Sequence, residues 1–226
     1  MIATLFRPLP LTPLALLVLA LQLTGGRAAA TDWPTFRGDY SRSGVSTDPL
    51  PEGITEAWVW RSPQPPRPAW QGEAKWDGWN KVFDLKARQI FDRAFHAVVS
   101  EGHVYFGSSA DDKLYCLDAR TGREVWSSFT EGPVRLAPTL VGGRLYAGSD
   151  DGCVYCLNAG DGTTVWKTRA APQERRLPGN GRIISGRPVR TSVVVQEGLV
   201  YTTAGMFPSE GVHLVALDAA TGAEKW

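Results

Sequence analysis

Two short stretches of this sequence repeat an arginine after the same pair of residues: Pro133-Val134-Arg135 and Pro188-Val189-Arg190. A guanidinium presents a planar fork of donors that grips a carboxylate or phosphate bidentately. Two of them brought to one place would make an anion site. The segment 167–190 adds Lys167, Arg169, Arg175, Arg176, Arg182 and Arg187 to Arg190, against Glu174 alone, a net charge of +6. Loop insertions on a repetitive scaffold often form its binding face. Arg135, Arg190, Arg182 and Arg187 are therefore the candidate ligand contacts, suited to a small anion, a glycan or a protein partner. The competing reading is plainer: rim arginines paired with nearby Asp or Glu, on a solvated loop.

Other residue types with chemical potential do not assemble into a site. Asp111-Asp112 and Asp150-Asp151 occupy equivalent hairpins and invite a calcium reading, but Gly205–Gly211 replaces them in a third copy. No twelve-residue calcium loop is present either, so turn chemistry is expected of them. His96, His103 and His213 lack metal-ligand spacing, and no Ser-His-Asp order can be drawn through them. Cys153-Val-Tyr-Cys156 has redox-motif spacing, yet an odd offset along a strand puts the thiols on opposite faces. Cys116 and Cys156 fall at one repeat position, where a third copy carries Ala216, so they read as small buried residues. GNGRIISG at 179–186 is not a dinucleotide fingerprint, because its third glycine is misplaced and no strand–helix crossover surrounds it. No metal site is expected and no catalytic residue can be assigned.

The 226 residues are 43% hydrophobic with a formal charge of +1, a globular composition without the basic excess of a nucleic-acid binder. The first thirty residues differ. Arg7 precedes an almost wholly apolar run, Leu11–Leu23, and Ala28-Ala29-Ala30 offers the small residues that signal peptidases cut. That run falls short of the roughly 20 residues that span a bilayer comfortably. The expectation is a signal peptide over 1–30, an exported (periplasmic or extracellular) mature chain and no membrane span after cleavage; an uncleaved anchor is the alternative.

What would position the arginines is a repeat. CLDARTGREVW (116–126), CLNAGDGTTVW (156–166) and ALDAATGAEKW (216–226) are copies of one phrase. Upstream of each copy lie a Val-Tyr or Leu-Tyr strand and a further apolar strand. Four short antiparallel strands per unit make a propeller blade, and the 40 residues from Trp126 to Trp166 suit one. The 60 residues from Trp166 to Trp226 leave about twenty for an insertion. Within the phrase, Gly122, Gly162 and Gly222 meet a turn's need for positive φ. Asp118, Asn158 and Asp218 hold the turn through backbone amides, and Trp126, Trp166 and Trp226 are flat plates for inter-blade packing. Trp70, Trp76 and Trp79 fall in a long insertion of the leading unit, where they pack or stack on a sugar ring.

The pattern A-x-D-x-x-T-G-x-E-x-W at Ala216, Asp218, Thr221, Gly222, Glu224 and Trp226 resembles the tryptophan-docking signature of the pyrroloquinoline-quinone (PQQ)-like repeat family. DWPTFRGDYSRSGVS (32–46) is similar to the usual opening of such propellers. The resemblance implies an all-β propeller of four-stranded antiparallel blades over 31–226. It has an incomplete leading blade with an insertion at about 47–95, then blades ending at Trp126, Trp166 and Trp226. It also implies that the segment near Trp33 pairs with a last blade, and that a ring of only about three blades is an incomplete one whose remaining blades are partners within a longer protein. The family divides by function. Its quinoprotein dehydrogenases hold PQQ near the axis with calcium and oxidise alcohols or sugars; other members, including an outer-membrane assembly lipoprotein, use the propeller as a binding surface. A binding or scaffold module is the leading expectation, and the amino-terminal part of a PQQ-dependent dehydrogenase is the alternative.

Overall fold

Short apolar runs bounded by glycine turns form antiparallel sheets throughout the computed structural model, which describes residues 31–66, 94–179, 182–206 and 208–226. The expected leader at 1–30, the cluster Trp70, Trp76 and Trp79, and Asn180-Gly181 within GNGRIISG lie outside the described residues. The first sheet is β1 (Val98–Ser100), β2 (His103–Gly107), β3 (Lys113–Asp118) and β4 (Glu124–Phe129), adjacent in that order. The second repeats it with β5 (Thr139–Val141), β6 (Arg144–Gly148), β7 (Cys153–Asn158) and β8 (Thr164–Arg169). A separate hairpin follows, β9 (Arg176–Gly179) with β10 (Arg182–Ser185). The third sheet is β11 (Val194–Gln196), β12 (Leu199–Ala204) and β13 (His213–Asp218). Its outer edge pairs with the chain at Glu224–Trp226 through Lys225 N to Ala216 O, 2.8 Å, and Ala216 N to Trp226 O, 2.9 Å. Among the described residues there is no α-helix, and none long and apolar enough to cross a membrane. The architecture is all-β, with antiparallel sheets arranged as the blades of an incomplete propeller.

Strand periodicity decides which neighbour each side chain meets. Leu114 and Cys116 of β3 face the second sheet, in a core with Trp126, Leu145, Tyr155 and Leu157. Tyr115 and Leu117, at the alternate positions, face the leading segment and pack with Phe106 against Trp58, Trp60 and Phe95. The second sheet repeats the division. Val154 and Cys156 join Trp166, Val193, Val200 and Val215, while Cys153 borders the core on the other face. The two thiols of the C-x-x-C stretch thus point into different interfaces, and the cysteines are free.

The phrase that recurs in the sequence is a dock. Trp126 donates its indole N–H to Ala159 O at 2.9 Å, and Trp166 donates to Ala219 O at 3.0 Å. Each indole lies flat on the turn glycine of the next sheet, with φ +72° at Gly162 and +74° at Gly222. A Cβ on Gly162 would sit 2.5 Å from the ring of Trp126, and one on Gly222 2.6 Å from that of Trp166. Only glycine meets both demands, the left-handed backbone and the close ring. Trp58 forms the same dock on the first sheet, with its N–H on Ala119 O at 2.9 Å and its ring over Gly122. The Tyr of each Val/Leu-Tyr strand supports the dock: Tyr105 and Tyr146 donate to the same Ala159 and Ala219 carbonyls at 3.3 and 3.2 Å. In the worn middle copy, Asp161 takes over the cap, receiving the Thr163 N–H at 2.9 Å.

The Pro-Val-Arg stretches close the opposite ends of the same interfaces. Val134 N–H bonds Ser108 O of the first sheet at 3.1 Å, while Pro133 O accepts from Asp150 N of the second at 2.9 Å. Val189 and Pro188 repeat this one sheet along, through Ser149 O at 3.0 Å and Gly205 N at 3.0 Å. The valines lie over Gly107 and Gly148, where an added Cβ would fall 2.1 and 2.3 Å from them.

Residues 33–42 run across the inner strands. Trp33 pairs with Val99 of β1 in both directions, at 2.7 and 2.9 Å, and Pro34 O accepts from Leu140 N of β5 at 2.8 Å. Thr35 donates to Thr139 Oγ1 at 2.8 Å, and Thr139 passes a 2.6 Å bond to Val193 O beside β11. Arg42 reaches Ser192 O at 3.2 Å. Trp33 thus takes the open edge of β1, whose unpaired backbone groups need a partner.

Two measurements check this account. Gly162→Ala should lower unfolding stability by about 2–5 kcal/mol, because ring contact adds overpacking to the left-handed strain. Gly102→Ala, with φ +75° but open space around it, should cost only the strain, about 1–2 kcal/mol. Equal losses in urea unfolding would show that the indole contact is immaterial. Asp218 is held down at about 2 from the ordinary 3.8 by hydrogen bonds from the Thr221 main chain, the Thr221 hydroxyl and Lys225. A lowered folded pKa means that ionised Asp218 favours the fold above pH 3.8 and loses that effect as pH falls toward 2. Carboxyl carbon NMR should titrate near 2 and move upward in Thr221→Ala; a parent midpoint near 3.8 would contradict the capping geometry.

Candidate functional site

One end of the sheets gathers the β2–β3, β6–β7 and β12–β13 hairpins, the two Pro-Val-Arg stretches and the β9–β10 arm. The charged side chains lie here for a local reason: these segments must turn, so apolar alternation stops and polar residues take over.

Arg135 and Arg190 do converge, and what they meet is internal. Asp150, with a side chain 0% exposed, accepts Arg135 Nε on Oδ2 at 2.7 Å. Arg190 grips it bidentately, Nε to Oδ1 at 2.7 Å and Nη2 to Oδ2 at 2.8 Å. Its main chain is engaged as well, N to Pro133 O at 2.9 Å and O from Ser185 N at 2.8 Å. Asp150 is therefore more than the turn residue expected of it: it ties β6–β7 to both Pro-Val-Arg stretches. Asp151, beside it, does serve the turn, receiving Cys153 N at 2.9 Å and the Tyr155 hydroxyl at 2.5 Å. In the equivalent hairpin Asp111 receives the Tyr115 hydroxyl, and Asp112 pairs with Arg182. Burial raises the Asp112 carboxyl, and the Arg182 guanidinium opposes that shift.

The other two nominated arginines go elsewhere. Arg182 crosses from the arm to the first sheet, bonding the Asp112 carboxylate and Ala110 O. Arg187 Nε donates to Glu210 O at 2.6 Å, beside the third sheet. The structure therefore pairs Arg135 with Arg190 but does not bring all four together.

A second cluster forms where β8 leads into the arm. Lys167 meets Glu131 at 2.5 Å, Arg176 meets Glu131 at 2.9 Å and Glu174 at 2.8 Å, and Arg169 meets Glu174 at 2.8 Å. These residues line an open cleft of about 320 Å³ together with Asp151 and Cys153. Hydrogen bonds from Lys167 and then Arg176 hold the Glu131 carboxyl below its ordinary range. Arg175 pairs with Glu210. The +6 charge of 167–190 is thus largely met by carboxylates from other segments: Glu131, Asp112, Asp150 and Glu210. Composition over one stretch could not show this, since these partners lie 35 to 70 residues away.

What these side chains make is ion pairs. Burial pushes the Cys153 thiol up to about 11, which keeps it protonated and poorly nucleophilic at neutral pH. Cys116 and Cys156 are pushed up to about 11 for the same reason. Among the described residues, no group of three or more His, Cys, Asp or Glu could hold a metal ion. A calcium-assisted quinone site does not fit the residues at this end. Of the buried carboxylates there, Asp150 is already bound by two guanidiniums and Asp151 lies 3.6 Å from Lys167, positive charges that oppose a further cation.

Residues 55–226 match the family model PQQ_2, described as outer membrane protein assembly factor BamB. No curated protein matches the chain. Among solved structures, quinohemoprotein alcohol dehydrogenase from Comamonas testosteroni aligns with 95% of this chain and 30% of its own, at 23% identity and a TM-score of 0.57. A europium-containing methanol dehydrogenase aligns with 91% of this chain and 33% of its own, at 14% identity and a TM-score of 0.52. At these identities the likeness is one of fold. The chain spans about a third of the length of either protein.

Asp150→Asn would remove the carboxylate that Arg190 grips bidentately and Arg135 also meets, and removing one partner of a buried pair costs about 3–5 kcal/mol. Glu174→Gln, at an exposed pair, should leave the urea midpoint unchanged within error. If Asp150→Asn unfolds at the parent midpoint, the centre is not a structural tie.

Proposed function

This chain belongs to the PQQ_2 propeller family, and from that premise we propose that it is a binding or scaffold module whose contact surface is the arginine-bearing end of the sheets. The observation that carries the reading is the β9–β10 arm. It leaves the connection between the second and third sheets and reaches back to Asp112 of the first, laying charged residues across that end. A protein partner is favoured among the anionic ligands, in keeping with the assembly-factor description of the family. Arg182 and Arg187 position the arm and border the contact surface, while Arg135 and Arg190 hold the floor beneath through Asp150.

The solved dehydrogenases are about three times as long, and we propose that these sheets work as an arc of a longer ring, with blade limits at Trp126, Trp166 and Trp226. Residues 1–30 have the pattern of an export leader, which supports a periplasmic or extracellular setting.

A photo-crosslinking residue at Ile183, 66% exposed on the arm, should yield one discrete adduct in cells producing the protein. The same residue at Val125 on β4, 48% exposed, should not. Protein supplied with PQQ and calcium should reduce no dye with alcohols or sugars. Equal adducts at both positions, or quinone-dependent dye reduction, would overturn the reading in favour of the dehydrogenase alternative.

A further inference from the structure

Two groups of charged residues at this end differ in exposure, and one member of the cleft lining, Asp151, 3.6 Å from Lys167, is itself buried. In the Asp150 centre the side chains of Asp150, Arg135 and Arg190 are 0%, 8% and 17% exposed. In the cleft, Glu131 and Glu174 are 54% and 50% exposed, Arg169 and Arg176 both 45%, and Lys167 29%. A buried pair cannot exchange partners without stranding a charge. An exposed pair can, because water and salt already compete for both members.

The cleft residues form a ladder of alternating charge: Lys167, Glu131, Arg176, Glu174, Arg169. Arg176 is its pivot, placing Nη2 on Glu131 at 2.9 Å and Nε on Glu174 at 2.8 Å. The scaffold beneath would tolerate a change of partner. From Pro172 to Arg187, Ser185 is the one buried residue among those described. This stretch is seated by ion pairs and hydrogen bonds, not by a core, so it can move without exposing apolar surface. At about 320 Å³ the cleft is at the small end of the range that binds ligands.

We propose that this cleft is a self-occupied clamp for an acidic segment of a protein partner. The chain's own Glu131 and Glu174 sit where the partner's carboxylates bind. The inference rests on the binding-module reading and names the ligand chemistry of its contact surface. Carboxylates are favoured over phosphate by the geometry on Arg176. Its two donor nitrogens serve two separate carboxylates, the presentation of successive acidic side chains rather than of one compact anion. Binding exchanges one set of ion pairs for another. Removing an internal carboxylate must therefore strengthen the partner's hold, an effect opposite to that of deleting a contact residue.

The test uses the full chain and a fluorescently labelled Glu-rich peptide, with affinity read by anisotropy. Glu174→Gln should tighten binding about fivefold and Arg176→Gln should weaken it by about as much, the range expected of exposed ion pairs. Both variants should keep the parent circular dichroism; Arg169→Gln replaces Arg176→Gln if the latter does not. Unchanged or weaker binding by Glu174→Gln overturns the self-occupied clamp. Competition by inorganic phosphate or a charge-matched oligonucleotide as effective as that of unlabelled peptide overturns the choice of ligand. Failure of both the parent and Glu174→Gln to bind the peptide overturns the clamp outright, yet leaves the Ile183 crosslink, and with it the binding-module reading, standing.

Discussion

The contact on which everything else depends is an indole lying on a glycine. Each sheet is apolar on both faces and cannot bury itself, so its stability comes from its neighbours. The Trp126 ring over Gly162 fixes how two neighbours meet, because the indole N–H has one carbonyl to reach, Ala159 O at 2.9 Å. A turn with any side chain in place of that glycine would hold the ring away and misalign the sheets behind it. Repetition at Trp58 and Trp166 converts one local fit into a rule for placing sheets.

A dock at one end would still allow the sheets to splay at the other. The Pro-Val stretches prevent this, since each bridges two hairpins through its main chain and presses a valine on a glycine. The arginine that follows then finds Asp150, buried and otherwise without a counter-charge. That charge pair belongs to the architecture. The β9–β10 arm is different in kind: it lies over a finished scaffold, and though Arg182 is largely covered on Asp112, Arg175 and Arg176 at its start remain about half exposed. The buried tie and the exposed ladder thus use the same residue types at the same end of the molecule, separated by burial.

The docking phrase was legible in the sequence because its causes are local. Asp118 caps its own turn, Gly122 and Gly222 adopt their own positive φ, and the Trp recurs at a constant offset. Trp58 was harder to see, since it lacks the phrase and is recognisable only by the turn on which it sits. The Pro-Val-Arg repeat was legible as a repeat, and pairing of its arginines with a nearby Asp or Glu was one of the two readings, but that both would meet the same carboxylate was not. Asp150 looked like a turn residue because Asp150-Asp151 occupies the hairpin equivalent to that of Asp111-Asp112. The charge of 167–190 was likewise visible as composition, without the carboxylates of Glu131, Asp112 and Glu210 that meet it.

By itself the sequence determined the all-β class, the repeating unit, the residues of the dock and the opposed faces of Cys153 and Cys156, because each follows from strand periodicity or turn chemistry within a few residues. Only the tertiary structure decided which charges pair in the interior and which pair in the open. Burial and ion pairing depend on segments far apart in the chain that become neighbours once the sheets are docked, and no local pattern encodes that proximity.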